Sequence, residues 1–177
     1  MIKTITACLC SAVIVLGSVT YNPFSTWLVQ YEKKFEWVAE STIELITNFE
    51  GKRYKAYIDG AGKWTIGIGH MILHRESHML HRELSEDEVR GILHADLKKC
   101  SEALESAVKV PVTRTQADAM HSLCHNIGPD RMAKSDVVKH LNDGNVHKAA
   151  DAFLNWSNPP QLKPRRKAER ALFLAEI

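Results

Sequence analysis

Phe49-Glu50-Gly51, then Ala56-Tyr57-Ile58-Asp59-Gly60-Ala61-Gly62, then Trp64-Thr65-Ile66-Gly67-Ile68-Gly69-His70, set two acidic residues and a hydroxyl where the pattern of the chain changes from helical to extended. Ser41 followed by Glu44 reads as a capping box, and Ile43, Ile46 and Phe49 recur at helical spacing. Together they predict a short amphipathic helix over about residues 42 to 50. Gly51 supplies its left-handed stop. Glu50 falls on the same face as Ile43 and Ile46, at the negative end of the helix dipole. Partial burial and the dipole both disfavour a carboxylate there, so the sequence predicts a raised pKa, which suits a general acid.

Tyr54 to Ile58 and Trp64 to Ile68 flank an Asp-Gly turn signal and read as a β-hairpin. Alternation puts Trp64, Ile66 and Ile68 on one face and Thr65 on the other, beside glycines that leave room for a bulky ligand. Asp59, at the wet end of the first strand, is placed to activate a water. By themselves these residues are equally compatible with a solvated helix end, a turn-forming aspartate and an ordinary strand threonine.

Longer motifs separate the two readings. Glu50, Asp59 and Thr65, with Gly67-Ile68-Gly69-His70 behind them, resemble the Glu, Asp, Thr and Gly-x-Gly-His signature of the T4-type phage lysozymes, glycoside hydrolase family 24. Further likeness follows in order: Lys109-Val110-Pro111-Val112-Thr113 with Gln116, Asp118 and Ala119; Ser122-Leu123 with Asn126-Ile127-Gly128; Leu141-Asn142 with Gly144; and Arg165-Arg166 with Glu169-Arg170 and Leu172-Phe173. The resemblance spans residues 41 to 175. It implies that Glu50 protonates the leaving oxygen, that Asp59 assists the attacking water or the developing positive charge, and that Thr65 positions that water. The implied substrate is the β-1,4 bond between N-acetylmuramic acid and N-acetylglucosamine in bacterial peptidoglycan, cut during host lysis with no metal or organic cofactor. One of Arg165, Arg166 or Arg170 is implied to reach the Glu50 carboxyl. Two positions depart from the pattern: His125 stands where an aromatic residue is usual, and Ser135-Asp136 replaces a Ser-Thr helix start. Two other functions compete: a lytic transglycosylase, which needs only a lone Glu, and a non-catalytic, membrane-anchored peptidoglycan-binding protein. Asp59 and Thr65 at the family's spacing argue against both.

The implied fold is α+β and mostly helical, with a small β-hairpin lobe, a long connecting helix and a helical carboxy-terminal lobe. The residues agree with it. Ser85-Glu86-Asp87-Glu88 opens a long helix with Val89, Ile92, Leu93, Leu97 and Leu104 on one side, ending before Pro111. Thr113 and Gln116 start the next helix and Gly128-Pro129 ends it, with further helices near 136 to 142, 146 to 155 and 165 to 175. The substrate cleft is expected between the two lobes.

From Thr4 to Tyr31 no charged side chain occurs, and residues 5 to 19 are mostly apolar. Residues 1–37 therefore read as a membrane or export segment with its linker, and 38–177 as the catalytic domain. As a signal peptide the segment has one Lys, an apolar stretch and a possible cut near Val15-Leu16-Gly17; as an uncleaved helix it is weakly apolar and interrupted by Asn22-Pro23. That weak hydrophobicity resembles the signal-arrest-release segments of certain phage endolysins, which leave the membrane uncut. Either way the domain faces the periplasm, at least transiently tethered to the inner membrane.

With 23 basic and 21 acidic residues the formal net charge is only +2, which disfavours a nucleic-acid partner. The dense basic run Lys163, Arg165, Arg166, Lys167 and Arg170 reads as a solvated helix face, with contact to an anionic envelope as the alternative. A monomer is expected. Of four cysteines, Cys8 and Cys10 belong to the export segment; Cys100 and Cys124 fall on predicted helices and fit a bridge or two buried thiols equally. His70, His74, His78 and His81, and His121 with His125, repeat at helical steps, but no thiol or carboxylate completes a zinc pattern. His70 is expected to brace the hairpin.

Overall fold

The computed structural model describes residues 38–176; the export segment, with Cys8 and Cys10, and the boundary drawn at residue 37 lie outside the described residues. The first helix, α1 (Glu40–Glu50), begins earlier than its sequence pattern indicates. Its N-cap is Ala39, without a side-chain cap, so the expected box at Ser41 does not form. Both Glu40 carboxylate oxygens instead accept from Arg90, at 2.9 and 3.0 Å, in a first turn that begins two residues before the expected start. Ile43 and Ile46 are buried, whereas Phe49 stays partly exposed. Gly51, at φ +72°, ends the helix as expected and returns its N–H to Thr47 O.

Strands β1 (Arg53–Ile58) and β2 (Trp64–Gly67) form the predicted hairpin, with an irregular register between Arg53 and Tyr57. A two-residue strand, β3 (His70–Met71), pairs with β2 and completes a three-stranded antiparallel sheet in the order β1-β2-β3. It escaped the sequence reading because two residues show no alternation. Ile66 and Ile68 are buried as expected, but Trp64 lies opposite Ile58 at the exposed tip of the hairpin. Thr65 is buried instead of facing an open ligand space.

The long helix α2 (Glu86–Ala107) is opened by the anticipated reciprocal box of Ser85 and Glu88. Two separate cores lie along it. Val89, Leu93 and Leu97 pack with Ile43, Ile46, Ile66 and Ile68, while Cys100 and Leu104 pack with the carboxy-terminal helices. Each fully buried side chain of this size contributes about 2 kcal/mol relative to exposure. The mostly helical, two-lobed α+β architecture is thus a matter of one helix serving two cores.

The second core is built by α3 (Arg114–Ile127), α4 (Pro129–Ala133), α5 (Asp136–Asn142), α6 (Val146–Ala152) and α7 (Lys163–Phe173). Thr113 and Gln116 cap α3, and Gly128 ends it. Ser135 caps α5 by accepting from Val138 N–H. Helix α6 is shorter than expected and tightens into a 3-10 turn, Phe153–Trp156, that sets Phe153 against Phe173 with ring centres 5.3 Å apart. Asn142 joins α5 to the end of α2: its Oδ1 accepts from Lys109 N–H at 2.7 Å and its Nδ2 donates to Ala107 O at 2.9 Å. Cys100 and Cys124 form a disulfide between α2 and α3. Closing a loop of 24 residues stabilises the fold by about 3 kcal/mol in the chain-entropy description.

His70 braces the sheet. Its Nδ1 lies 2.6 Å from Asp96 Oδ2 on α2, and its Nε2 lies 3.4 Å from Glu76 Oε2. The hydrogen bond to Asp96 raises the His70 pKa, against the opposing effect of burial. Burial would raise Asp96, but hydrogen bonds from His70 and Lys99 outweigh it and hold it below the usual range. The His70 contribution is complete below its ordinary 6.5 and fades as pH rises through the raised value; the Asp96 contribution is complete above 3.8 and fades as pH falls. The pair is therefore strongest between those two values. His70→Asn is expected to cost about 2 kcal/mol in urea unfolding at pH 5.5 and distinctly less at pH 9.

Candidate active site

Glu50 is the last residue of α1, where Gly51 turns the chain into β1, and it lies where the first lobe meets α3 and α7. Its Oε1 receives Nη1 of Arg165 at 2.5 Å, and Nδ1 of His125 stands 3.7 Å from the same oxygen. Its side chain keeps about a fifth of its surface exposed (21%). The other side of the carboxyl faces Gly69. A Cβ built there would lie 3.0 Å from both Cδ and Oε2 of Glu50, and the backbone has φ +73°. Only glycine satisfies both conditions, which gives the Gly-x-Gly-His turn a purpose that the residue pattern alone does not explain.

The expected rise in the Glu50 pKa is not found. Burial does push it up, but the His125 contact and the Arg165 charge and hydrogen bond outweigh that push and bring it down to about 2. The carboxyl is therefore an anion in the free protein. The local helix gave no sign of this, because both partners come from the other lobe.

Arg165 settles which arginine reaches Glu50. It is almost fully buried; besides Glu50 it donates from Nε to Glu169 at 3.0 Å and from Nη2 to Ser122 O at 3.0 Å, and it stacks over the Phe49 ring at 5.4 Å. Arg166 also turns inward, 3.2 Å from Glu169 and donating to Asn126 at 3.0 Å. Burial lowers its pKa to about 10 even with Glu169 beside it. Burial also raises Glu169, whose Oε1 accepts from Ser122. The basic run is thus solvated only in part: Lys163 and Lys167 are exposed and Arg170 pairs with Asp151 at 2.8 Å, but Arg165 and Arg166 turn inward as partners of carboxylates.

Asp59 occupies the hairpin turn. Its Oδ1 accepts from Ala61 N–H at 2.9 Å and Lys63 N–H at 2.8 Å, so the turn-forming role is real and leaves Oδ2 for other work. Thr65 donates its hydroxyl to Lys63 O at 3.2 Å. Tyr57 lies on β1 just before this turn. It is paired across the sheet with Thr65, and its phenol pKa is raised by burial and then by the charges of Glu50 and Asp59. Tyr57 went unread in the sequence as a site residue, although its place two before Asp59 was the available signal. A surface depression lined by Glu40, Glu44, Asn48, Lys52, Glu86 and Arg90 among others contains none of the three.

The histidines divide by role. His121 is buried, with Nδ1 2.9 Å from Ala117 O and Nε2 2.9 Å from Ser101 Oγ, and burial lowers its pKa. Among the described residues no group of His, Cys, Asp or Glu is arranged to hold a metal ion.

The Phage lysozyme family model matches residues 47–169. The endolysin of Salmonella phage P22 is 38% identical over 143 residues, spanning 78% of this chain and 98% of that protein. A crystal structure of a P22 lysozyme mutant superposes with a TM-score of 0.67 at 39% identity, over 77% of this chain and 97% of the other. The SAR-endolysin of Enterobacteria phage P21 is 28% identical over 130 residues, covering 71% of this chain and 77% of its own length.

Proposed function

Because this chain belongs to the phage lysozyme family, we propose that Glu50, Asp59 and Thr65 carry its reaction. The protein is an endolysin: a glycoside hydrolase that cleaves the β-1,4 bond between N-acetylmuramic acid and N-acetylglucosamine in bacterial peptidoglycan. Glu50 gives its proton to the leaving oxygen. Asp59, through the oxygen its turn leaves over, assists the attacking water or the positive charge developing on the sugar, and Thr65 positions that water.

The observation that carries this reading is the Glu50 carboxyl itself, clamped by a buried guanidinium on one oxygen, facing a glycine that leaves room beside the other, and one-fifth open to solvent. A merely structural carboxylate has no need of that opening. Glu50 is anionic in the free enzyme, so it takes up its proton as the sugar chain seals it from water and restores the dominance of burial over its charge partners.

The finer assignments of place follow the same reading. The uncharged stretch from Thr4 to Tyr31, with the likeness to the SAR-endolysin of phage P21, supports export to the host periplasm with transient tethering to the inner membrane. The enzyme acts as a monomer.

Mass spectrometry of the products from purified peptidoglycan tests the function. Hydrolysis yields reducing-end N-acetylmuramic acid. Anhydro ends in their place would assign a lytic transglycosylase, and intact glycan strands a binding protein.

A further inference from the structure

The two oxygens of Glu50 are not equivalent. Oε1 faces Arg165 Nη1 at 2.5 Å and His125 Nδ1 at 3.7 Å, while Oε2 is the oxygen that lies against Gly69. His125 is on the last turns of α3, and its side chain is only 4% exposed. Its Nδ1 is buried with no hydrogen-bond partner, which is costly for a ring nitrogen unless some state of the site satisfies it. The nearest acceptor is Glu50 Oε1.

We propose that His125 is a positioning residue for the proton donor: with Arg165 it anchors Glu50 Oε1, so that Oε2 is the oxygen that carries and delivers the proton, and its contact with Oε1 restrains Glu50 from taking that proton up. The proposal rests on Glu50 being the acid, as argued above. Among the described residues these charged groups bear on the ring and its partner. From α1 comes the Glu50 carboxylate and from α7 the Arg165 guanidinium; behind Arg165, Glu169 is shared with Arg166. From β1, Tyr57 bears on Glu50.

The sign of the effect follows from these partners. The ring stands 3.7 Å from the carboxylate, and its contact favours the anion. An uncharged ring of similar size removes that attraction and leaves burial less opposed, so Glu50 holds its proton to higher pH. A residue that only filled space would change activity equally at every pH.

The test uses the whole chain with His125→Phe and, should the phenylalanine disturb folding, His125→Gln, which can reach Oε1 without gaining charge. Glu50 is labelled with 13C at its carboxyl and titrated by NMR between pH 7 and pH 2 in the free protein, and kcat/KM on soluble muropeptide oligomers is measured across the same range. His125→Phe is expected to raise the Glu50 titration by about one pH unit and His125→Gln, which can keep a hydrogen bond to Oε1, by less, and the alkaline limb of kcat/KM moves with it. An unmoved Glu50 titration in a folded variant overturns the proposal, as does a downward shift. If the NMR titration moves and the kinetic limb does not, His125 holds Glu50 as stated and Glu50 is not the acid, which overturns the catalytic assignment and with it the proton-delivery half of this one.

Discussion

Glu50→Gln lowers the rate of muropeptide release by about three orders of magnitude, within the range a positioned general acid supplies. The substitution keeps the shape of the side chain and leaves Gln Oε1 available to Arg165, but the amide has no proton to give to the leaving sugar oxygen. Arg165 retains Glu169 as its anionic partner, so the variant folds. Reducing-end counts on purified sacculi, with circular dichroism to show the native fold, check the result. A Gln variant that clears sacculi at the parent rate would assign the proton to another group.

Arg165→Met is the substitution with the largest effect on stability, a loss of about 4 kcal/mol in urea unfolding at pH 7. The guanidinium is buried between two carboxylates and a backbone carbonyl, and a thioether of similar length fills its space without satisfying any of them. Glu169, fully buried, is left with Arg166 and Ser122; Glu50 loses its closest charge partner. The pH dependence follows from the depressed Glu50 value. The anion stabilises the fold above the ordinary carboxylate value of 4.5, and that contribution disappears as pH falls through about 2. The penalty of the Met variant is therefore greatest near neutrality and shrinks in strong acid. A loss under about 1 kcal/mol would mean that Arg165 is placed by packing and not by its charge partners.

Elements whose information is local were legible from the chain. Ser85 with Glu88, and Thr113 with Gln116, satisfy their own helix ends within four residues, and both boxes formed as read. The start of α1 was misread because Arg90, far along the chain, holds Glu40 and so outbids the local Ser41 pattern. The same limit applies at the site. Glu50, Asp59 and Thr65 were singled out by their resemblance to the family's signature, spacing alone leaving them ambiguous, but the charge state of Glu50 depends on His125 and Arg165, and no nearby residue announces either. The inward turn of Arg165 and Arg166 had one local signal, Glu169 at three and four residues' distance on the same helix face. The chain showed that signal; its burial could not be seen without the fold.

The helix from Glu86 to Ala107 has a mechanical consequence. Its first half lies in one apolar core and its second half in the other, so melting either lobe strips the neighbouring lobe of a wall. The two halves of the molecule cannot come apart in sequence. Denaturation should follow one transition by every probe, and the amides from Leu93 to Leu104 should be the slowest in the protein to exchange with deuterium.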